Sequence, residues 1–432
     1  MGTENAFGPV LRSTRMAQGM SLGELGRRTH YSKGYLSKVE MGLRAPSDTL
    51  ARQCDTALGA DGGLIALVRR SAPPVVDRAL TDDDEGRWVL EMAKDGSMWF
   101  QPMGRRQAMA LGATSLLVLR AESAPPPDRS GQAAAVTAFD LMFTQLRALG
   151  QQASPNLVLP TCVTQTHSLS RIAEQSSGAT RTAAFTLASR YAEYTGWMAQ
   201  ESGQDKAALW WTDRAVRLAA EGGDEELAAY SKVRRALITL YAGDALSTIE
   251  LARQAQRHPA AGARVRGLAA QREAQGHALA GSPTECLRAL DRARELLAMV
   301  DAPTGKPVLG SSTLRDPVGL STAWCLHDLG RSAESAAMFD RELRDVPPTA
   351  RRFQTRWRAR QALAHATSRD LDEACAVATG LLDDMATVDS ATVRTDLVLL
   401  ARTLSRWMTY GPVRDLYPVL TAAMRPTSHA HT

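Results

Sequence analysis

Residues 30–47 read HYSKGYLSKVEMGLRAPS. Ser32, Lys33, Ser37 and Lys38 place hydroxyl and ammonium groups within two helical turns of one another. Lys33 and Lys38 can donate to phosphate oxygens or to guanine O6 and N7, and the two serines can bond either kind of group. Gly34 lets a partner approach the backbone, and Tyr35 is the only bulky side chain just after Ser32 and Lys33, where a helix would start. Leu36, Val39 and Leu43 fall at i, i+3 and i+7, which is one face of a helix. The spacing therefore predicts a short helix with an apolar anchor on one side and a low, basic, hydrogen-bonding surface on the other.

Such a helix needs others to hold it. Phe7, Val10, Leu11, Met16 and Ala17 predict a first helix closed by Gly19. Ser21 followed by Glu24 is a capping-box arrangement that opens a second helix from Leu22 to about Thr29. Leu25 points inward there, and Gly26 is small where another element must come close. His30-Tyr31 is a tight turn, and Ser32 caps the third helix, which ends at Met41-Gly42. Pro46-Ser47 starts a fourth helix through Leu50, Cys54 and Leu58, stopped by Gly59, and a fifth covers roughly residues 63–69. Five short helices with a tight turn between the second and third fit a helix-turn-helix unit, whose third helix enters the DNA major groove. Charge agrees. Positions 12–52 hold eight Lys and Arg against three acids, while the whole chain nets only +5, so the remainder is close to neutral. A compact basic segment on a neutral body is the footprint of a polyanion binder.

This segment resembles the phage-repressor-like, or xenobiotic-response-element type, helix-turn-helix family. The resemblance rests on Ser21-Leu22-Gly23-Glu24-Leu25-Gly26 and on Ser32, Tyr35, Leu36, Ser37, Val39, Glu40 and Gly42. It continues through Arg44, Pro46, Ser47, Thr49 and Leu50 to Ala57-Leu58-Gly59. It covers about residues 5–70 and implies a DNA-contacting set of Ser21, Ser32, Lys33, Gly34, Tyr35, Ser37, Lys38 and Arg44. Two departures matter. Leu22 stands where relatives often have a DNA-contacting Gln, and His30 stands where many have a turn Gly. Glu40 is expected to be a structural acid rather than a reader.

The chain has 432 residues, 44% hydrophobic and 22% charged, which suits a soluble protein of two or three domains. Residues 1–70 are expected to form the DNA-binding domain, 71–130 a linker with a helical segment, 131–425 a helical sensor and dimerisation body, and 426–432 a disordered tail. Gly104-Arg105-Arg106 followed by an apolar stretch mimics a twin-arginine signal, but its position favours a buried helix with a basic start. Asp82-Asp83-Asp84-Glu85 and Ala124-Pro125-Pro126-Pro127-Asp128 read as solvated linkers.

The body breaks at regular intervals. Gly203, Gly243, Gly281, Gly330 and Arg369 are equivalent turn positions, spaced by 40, 38, 49 and 39 residues. Seven residues before each stands Gly196, Ala236, Ala274, Ala323 or Ala362. Five after each stands Ala208, Thr248, Cys286, Ser335 or Ala374. Small side chains at these offsets let two antiparallel helices approach across a tight turn, and each pair needs the next to cover its apolar face. The pattern resembles the tetratricopeptide repeat, with a period longer than that family's 34 residues. The expected fold is thus all-α, a five-helix helix-turn-helix domain followed by a tetratricopeptide-like solenoid. The resemblance implies a concave groove lined by the first helix of each repeat. Its ligand-facing candidates are Arg190, Tyr194, Trp197, Tyr230, Arg234, Gln271, Arg272, Gln275, Trp324, His327, Arg356 and Arg360. Arginine beside aromatic rings suits an anionic or amphipathic ligand. Trp210-Trp211 lies on a second helix and reads as packing.

No phosphate loop, Gly-x-Ser-x-Gly elbow or His-Glu-x-x-His occurs, and His167, His258 and His365 stand alone in sequence. Five scattered cysteines without Cys-x-x-Cys argue for a reducing compartment. No apolar run is long enough for a membrane span, and residues 1–19 lack a signal core. No enzyme activity, cofactor or metal is expected. The combined architecture resembles bacterial regulators that join a repressor-type domain to tetratricopeptide repeats, and the Ala/Arg-rich composition suits a GC-rich actinobacterial genome. It implies a cytoplasmic, homodimeric, sequence-specific transcriptional regulator that binds a double-stranded operator and senses a peptide or small molecule. The rival reading is a repeat scaffold that binds another protein, such as a sigma or anti-sigma factor, with DNA binding secondary.

Overall fold

The computed structural model describes residues 7–29, 31, 33–41, 46, 48–60, 62–69, 87–92, 98–103, 129–300, 309–310 and 317–424. They fall into two compact units. One joins Met1–Val75 to Lys232–Val346 and Arg360–Val377. The other joins Val76–Ser231 to Pro347–Ala359 and Ala378–Thr432.

The first unit opens with α1 (Phe7–Ala17), α2 (Leu22–Thr29), α3 (Lys33–Glu40), α4 (Asp48–Leu58) and α5 (Gly63–Arg69). The second and fifth lie where caps and glycines put them. Phe7, Leu11, Leu25, Tyr31, Leu36, Val39, Leu50, Cys54, Leu58 and Leu64 are buried in one core. At ~1.5–3 kcal/mol per large side chain, that burial is the main force on so small a domain. The Ser21 hydroxyl accepts from the Glu24 N–H at 3.1 Å, which is half of the capping box. The returning half is not made, because the Glu24 carboxylate takes Arg28 at 3.1 Å and Arg27 instead. Asp55 fixes α5 on α4, its two oxygens accepting from the N–H of Gly62 at 2.7 Å and of Leu64 at 2.8 Å. Glu40 is the structural acid expected. It is buried and takes Arg15 with both oxygens, at 2.7 and 3.0 Å, while Arg15 also donates to the Met20 carbonyl.

Tyr31 returns close over Gly26, its N–H donating to the Gly26 carbonyl at 3.1 Å. A β-carbon on Gly26 would lie 2.6 Å from the Tyr31 carbonyl oxygen. Gly26→Ala is expected to destabilise the domain by ~1–3 kcal/mol through this overlap, although Ala is the better helix former. Thermal unfolding of the full chain measures it, and an unchanged or raised midpoint would contradict the packing described.

Two short strands stand beside the all-helical architecture that the sequence leads one to expect, in the stretch read as a linker. β1 (Arg87–Met92) and β2 (Met98–Met103) pair antiparallel, Arg87 opposite Met103 and Met92 opposite Met98. Their alternating and aromatic runs suit strands better than a linker. The helical segment expected around 104–119, the acidic stretch 82–85, most of the loop 301–316 and the tail 426–432 lie outside the described residues.

The other elements among the described residues are helices. α6 (Arg129–Gly150) and α7 (Pro155–Gln175) lead into five helix pairs: α8 (Gly178–Glu201) with α9 (Asp205–Glu221), α10 (Glu226–Tyr241) with α11 (Ala245–Arg257), α12 (Ala263–Ala280) with α13 (Pro283–Ala298), α14 (Pro317–Asp328) with α15 (Ser332–Glu342), and α16 (Arg351–Ser368) with α17 (Leu371–Val388). α18 (Ala391–Leu404) and α19 (Gly411–Ala423) follow. All five predicted turn positions are left-handed, with φ of 81°, 77°, 76° and 82° at the glycines and 73° at Arg369. In the first and fourth pairs the small residues at these offsets meet. A β-carbon on Gly196 would lie 3.1 Å from the Ala208 carbonyl oxygen, and the Ser335 hydroxyl donates to the Ala323 carbonyl at 2.6 Å.

In the second unit, Arg352 is buried and ties four segments together. Its guanidinium donates to the carbonyls of Gly150 at 2.7 Å and Val388 at 2.8 Å, to that of Ala153, and to the Glu201 carboxylate at 3.3 Å. Ser390 and Thr392 donate to the same carboxylate at 2.5 and 3.0 Å. Burial raises the Glu201 pKa, but Arg352, Arg356 and the two hydroxyls outweigh it and hold the group below the ordinary carboxylate range.

Candidate nucleic-acid interface and repeat groove

Helix α3 is set by what it buries. Leu36 and Val39 are fully inside the core, and Glu40 is locked to Arg15. Those anchors leave the opposite side outward. Lys33 and Lys38 are exposed and Ser37 is half-buried between them. Ser21 is exposed at the start of α2. Two ammonium groups and a hydroxyl on a slim helix held by a rigid core form a surface that can donate to phosphates and base edges. Arg27 and Arg28, one element earlier, are exposed and share Glu24. Ser32 and Arg44 lie outside the described residues. Gly34 and Tyr35 belong to α3, with their side chains outside the description.

The groove candidates separate by unit. In the second unit, Arg190 pairs with Asp224 at 2.5 Å. Tyr194 is buried, donates to the Leu146 carbonyl at 3.3 Å and stands edge-on to Phe143, so it is committed to packing α8 on α6. Trp197 lies against Tyr194 and Arg356 over Trp357. Tyr230 is buried. Trp210 and Trp211 pack edge to face, as expected.

In the first unit, Arg234, Gln271 and Gln275 are buried and Arg272 is half-buried. Trp324, His327 and Arg360 come together. The Arg360 guanidinium lies over the Trp324 ring, 3.1 Å from its centroid, with the Tyr241 ring edge-on to the same indole at 5.7 Å. The Trp324 indole N–H donates to Asp328 Oδ2 at 2.9 Å, and Arg52 of α4 faces Asp328 Oδ1 at 3.5 Å. Tyr241, Asp328 and Arg52 are the members that sequence reasoning missed. The Trp324-x-x-x-Asp328 spacing, a donor one helical turn before an acceptor, was the available signal. His365 is not isolated in space. Asp340 at 2.9 Å and Asp370 at 3.2 Å flank its ring, which links the fourth and fifth helix pairs. Among the described residues no group of His, Cys, Asp and Glu could hold a metal ion, and no helix is long and apolar enough to cross a membrane.

His327 has a pKa lowered to about 4. Burial is the main cause, Asp328 opposes it, and Arg52 and Arg360 lower it further. The folded chain therefore holds fewer protons than the unfolded one between about pH 4 and 6.5, so stability falls as pH drops through that window. The contribution is at most ~3 kcal/mol, because the ring is partly accessible. His327→Gln is expected to flatten the pH dependence of unfolding between pH 4 and 6.5. Parallel curves for parent and variant would contradict this assignment.

The comparisons agree with the geometry over one region. The chain is 45% identical over 51 residues, 12% of its length, to the transcriptional regulator ClgR of Mycobacterium tuberculosis strain CDC 1551 / Oshkosh. The same holds for ClgR of strain ATCC 25618 / H37Rv. Those residues are 46% of each relative, so the chain spans about half the length of the curated relatives it matches. No solved structure matches the chain. The helix-turn-helix domain family matches residues 6–68, the segment that holds α1–α5 and the outward face of α3.

Proposed function

We propose that this protein is a sequence-specific, DNA-binding transcriptional regulator that uses α3 as its reading helix. The observation that carries the reading is the exposed Lys33–Ser37–Lys38 face on a helix held by Leu36 and Val39, within the segment matched by the helix-turn-helix family. A single reading helix makes few phosphate contacts, so the working form is a homodimer on two half-sites about one helical turn apart. The five helix pairs act as a tetratricopeptide-like body that mediates dimerisation and senses a peptide or small molecule. The Trp324, Arg360 and Tyr241 cluster suits an anionic or aromatic group on that effector. The protein works in the cytoplasm, without membrane, cofactor or catalytic activity. Selection of bound sequences from a random DNA pool by purified full-length protein tests the reading. An enriched inverted repeat is the expected result. A pool that stays random would overturn it in favour of a protein-binding scaffold.

A further inference from the structure

The first unit contains a contact that neither the DNA-reading face nor the repeat pattern requires. Helices α4 and α5 of the DNA-binding domain rest on the turn edge of the third and fourth helix pairs. The Thr56 hydroxyl donates to the Leu329 carbonyl at 2.8 Å. A β-carbon on Gly330 would lie 2.9 Å from the Thr56 hydroxyl, and one on Gly281 would overlap Ile65. A β-carbon on Gly62 would in turn overlap the Ala280 carbonyl oxygen. Turn glycines that the helix pairs need for a left-handed backbone thus also form a flat seat for α4 and α5. At the second turn, by contrast, a β-carbon on Gly243 would meet open space.

One charged group crosses this seat. Asp328 is buried at the end of α14, and its two oxygens face different ways. Oδ1 faces Arg52 on α4 at 3.5 Å, both side chains being largely enclosed. Oδ2 accepts the Trp324 indole N–H at 2.9 Å. The same indole carries Arg360 on its face and Tyr241 at its side. A buried carboxylate with two donors is held by both, and loss of one leaves a poorly compensated charge that must re-form its contacts. We propose that Asp328 is a latch that docks the DNA-binding domain on the repeat turns, and that Trp324 and Arg360 set the state of the latch from the groove side. An occupant that stacks on Trp324 in place of Arg360 turns the indole, withdraws its N–H from Asp328 and frees α4. The two reading helices of a dimer then lose their fixed separation. Only this last step rests on the proposed DNA reading; the docking does not.

The test uses the full-length chain with nitroxide labels at Met16→Cys on α1 and Leu287→Cys on α13. Both positions are exposed, and the five native cysteines are buried, so labelling is selective. Pulsed dipolar spectroscopy reads the distance between the labels. Labelled chain is diluted into an excess of unlabelled chain so that only distances within one protomer are read, and the parent is expected to give one narrow distribution. Arg52→Ala and Asp328→Asn are expected to broaden it. So are Trp324→Phe, which keeps a ring but loses the N–H, and Arg360→Met, although both lie on repeat helices. Far-UV circular dichroism checks that each variant keeps its helices. A broad distribution in the parent would overturn the docking. Distributions unchanged in Trp324→Phe and Arg360→Met would overturn the coupling. Since no DNA is present, the outcome is independent of whether the chain reads an operator.

Discussion

If α3 reads DNA as proposed, a chain carrying Lys33→Ala and Lys38→Ala together is expected to bind the selected sequence ~2–6 kcal/mol more weakly than the parent and to unfold at the parent's temperature. Each lysine is exposed on α3, so its removal leaves the core of Leu36 and Val39 untouched. Loss of a base-edge or phosphate contact costs ~1–3 kcal/mol, and two such contacts add when they share no partner. In a homodimer every substitution occurs twice, so the estimate is a lower one. A lysine that meets phosphate also lowers the slope of log affinity against log salt by about one when removed. One that reads a base weakens specific binding and relaxes the preference at one position. Fluorescence anisotropy with the selected operator measures both. A loss of less than tenfold in the double variant would show that α3 does not read DNA.

The second large effect is structural. Arg352→Met is expected to destabilise the second unit by ~3–5 kcal/mol, because it leaves Glu201 buried without its cation and removes the donor to three carbonyls. Adding Glu201→Gln removes the stranded charge and is expected to recover part of the loss, which separates electrostatics from packing. The chain forms two compact units, so the quantity to follow is the urea midpoint of the transition that shifts. A shift below ~1 kcal/mol would show that solvent or neighbouring groups replace the arginine.

Much of this fold is legible in the sequence. Helices α2 and α5 lie where Ser21 and Glu24, Thr29, Gly63 and Arg69 put them, because caps and turn residues act over a few positions. The five turns were readable because a left-handed residue and close helix approach impose glycine and small side chains at fixed offsets. Arg369 occupies the same conformation without being glycine, and only its register with the other four marked it. The pairing of 87–92 with 98–103 does not follow from a linker reading, although in the sequence Asp95-Gly96 between two apolar runs is a turn signal. The nearby charges and prolines favoured a linker instead.

The site divides the same way. The outward face of α3 follows from a 3.6-residue period and needs no partner to be recognised. The groove residues depend on what folds against them. Tyr194 satisfied the repeat offset as well as Trp324 did, yet one packs on α6 and the other joins Arg360. The Arg52–Asp328 contact joins positions far apart in the chain, and no local pattern encodes such a pair.

The central claim is that this protein discriminates between DNA sequences. Its most direct test is the ratio of affinities of the full-length protein for the selected operator and for the same duplex with both half-sites scrambled, measured across a range of salt. The account predicts a ratio of at least ~10³, with both affinities falling as salt rises. Two duplexes bound equally, with the same steep salt dependence, would contradict it and leave only a basic surface that holds phosphate.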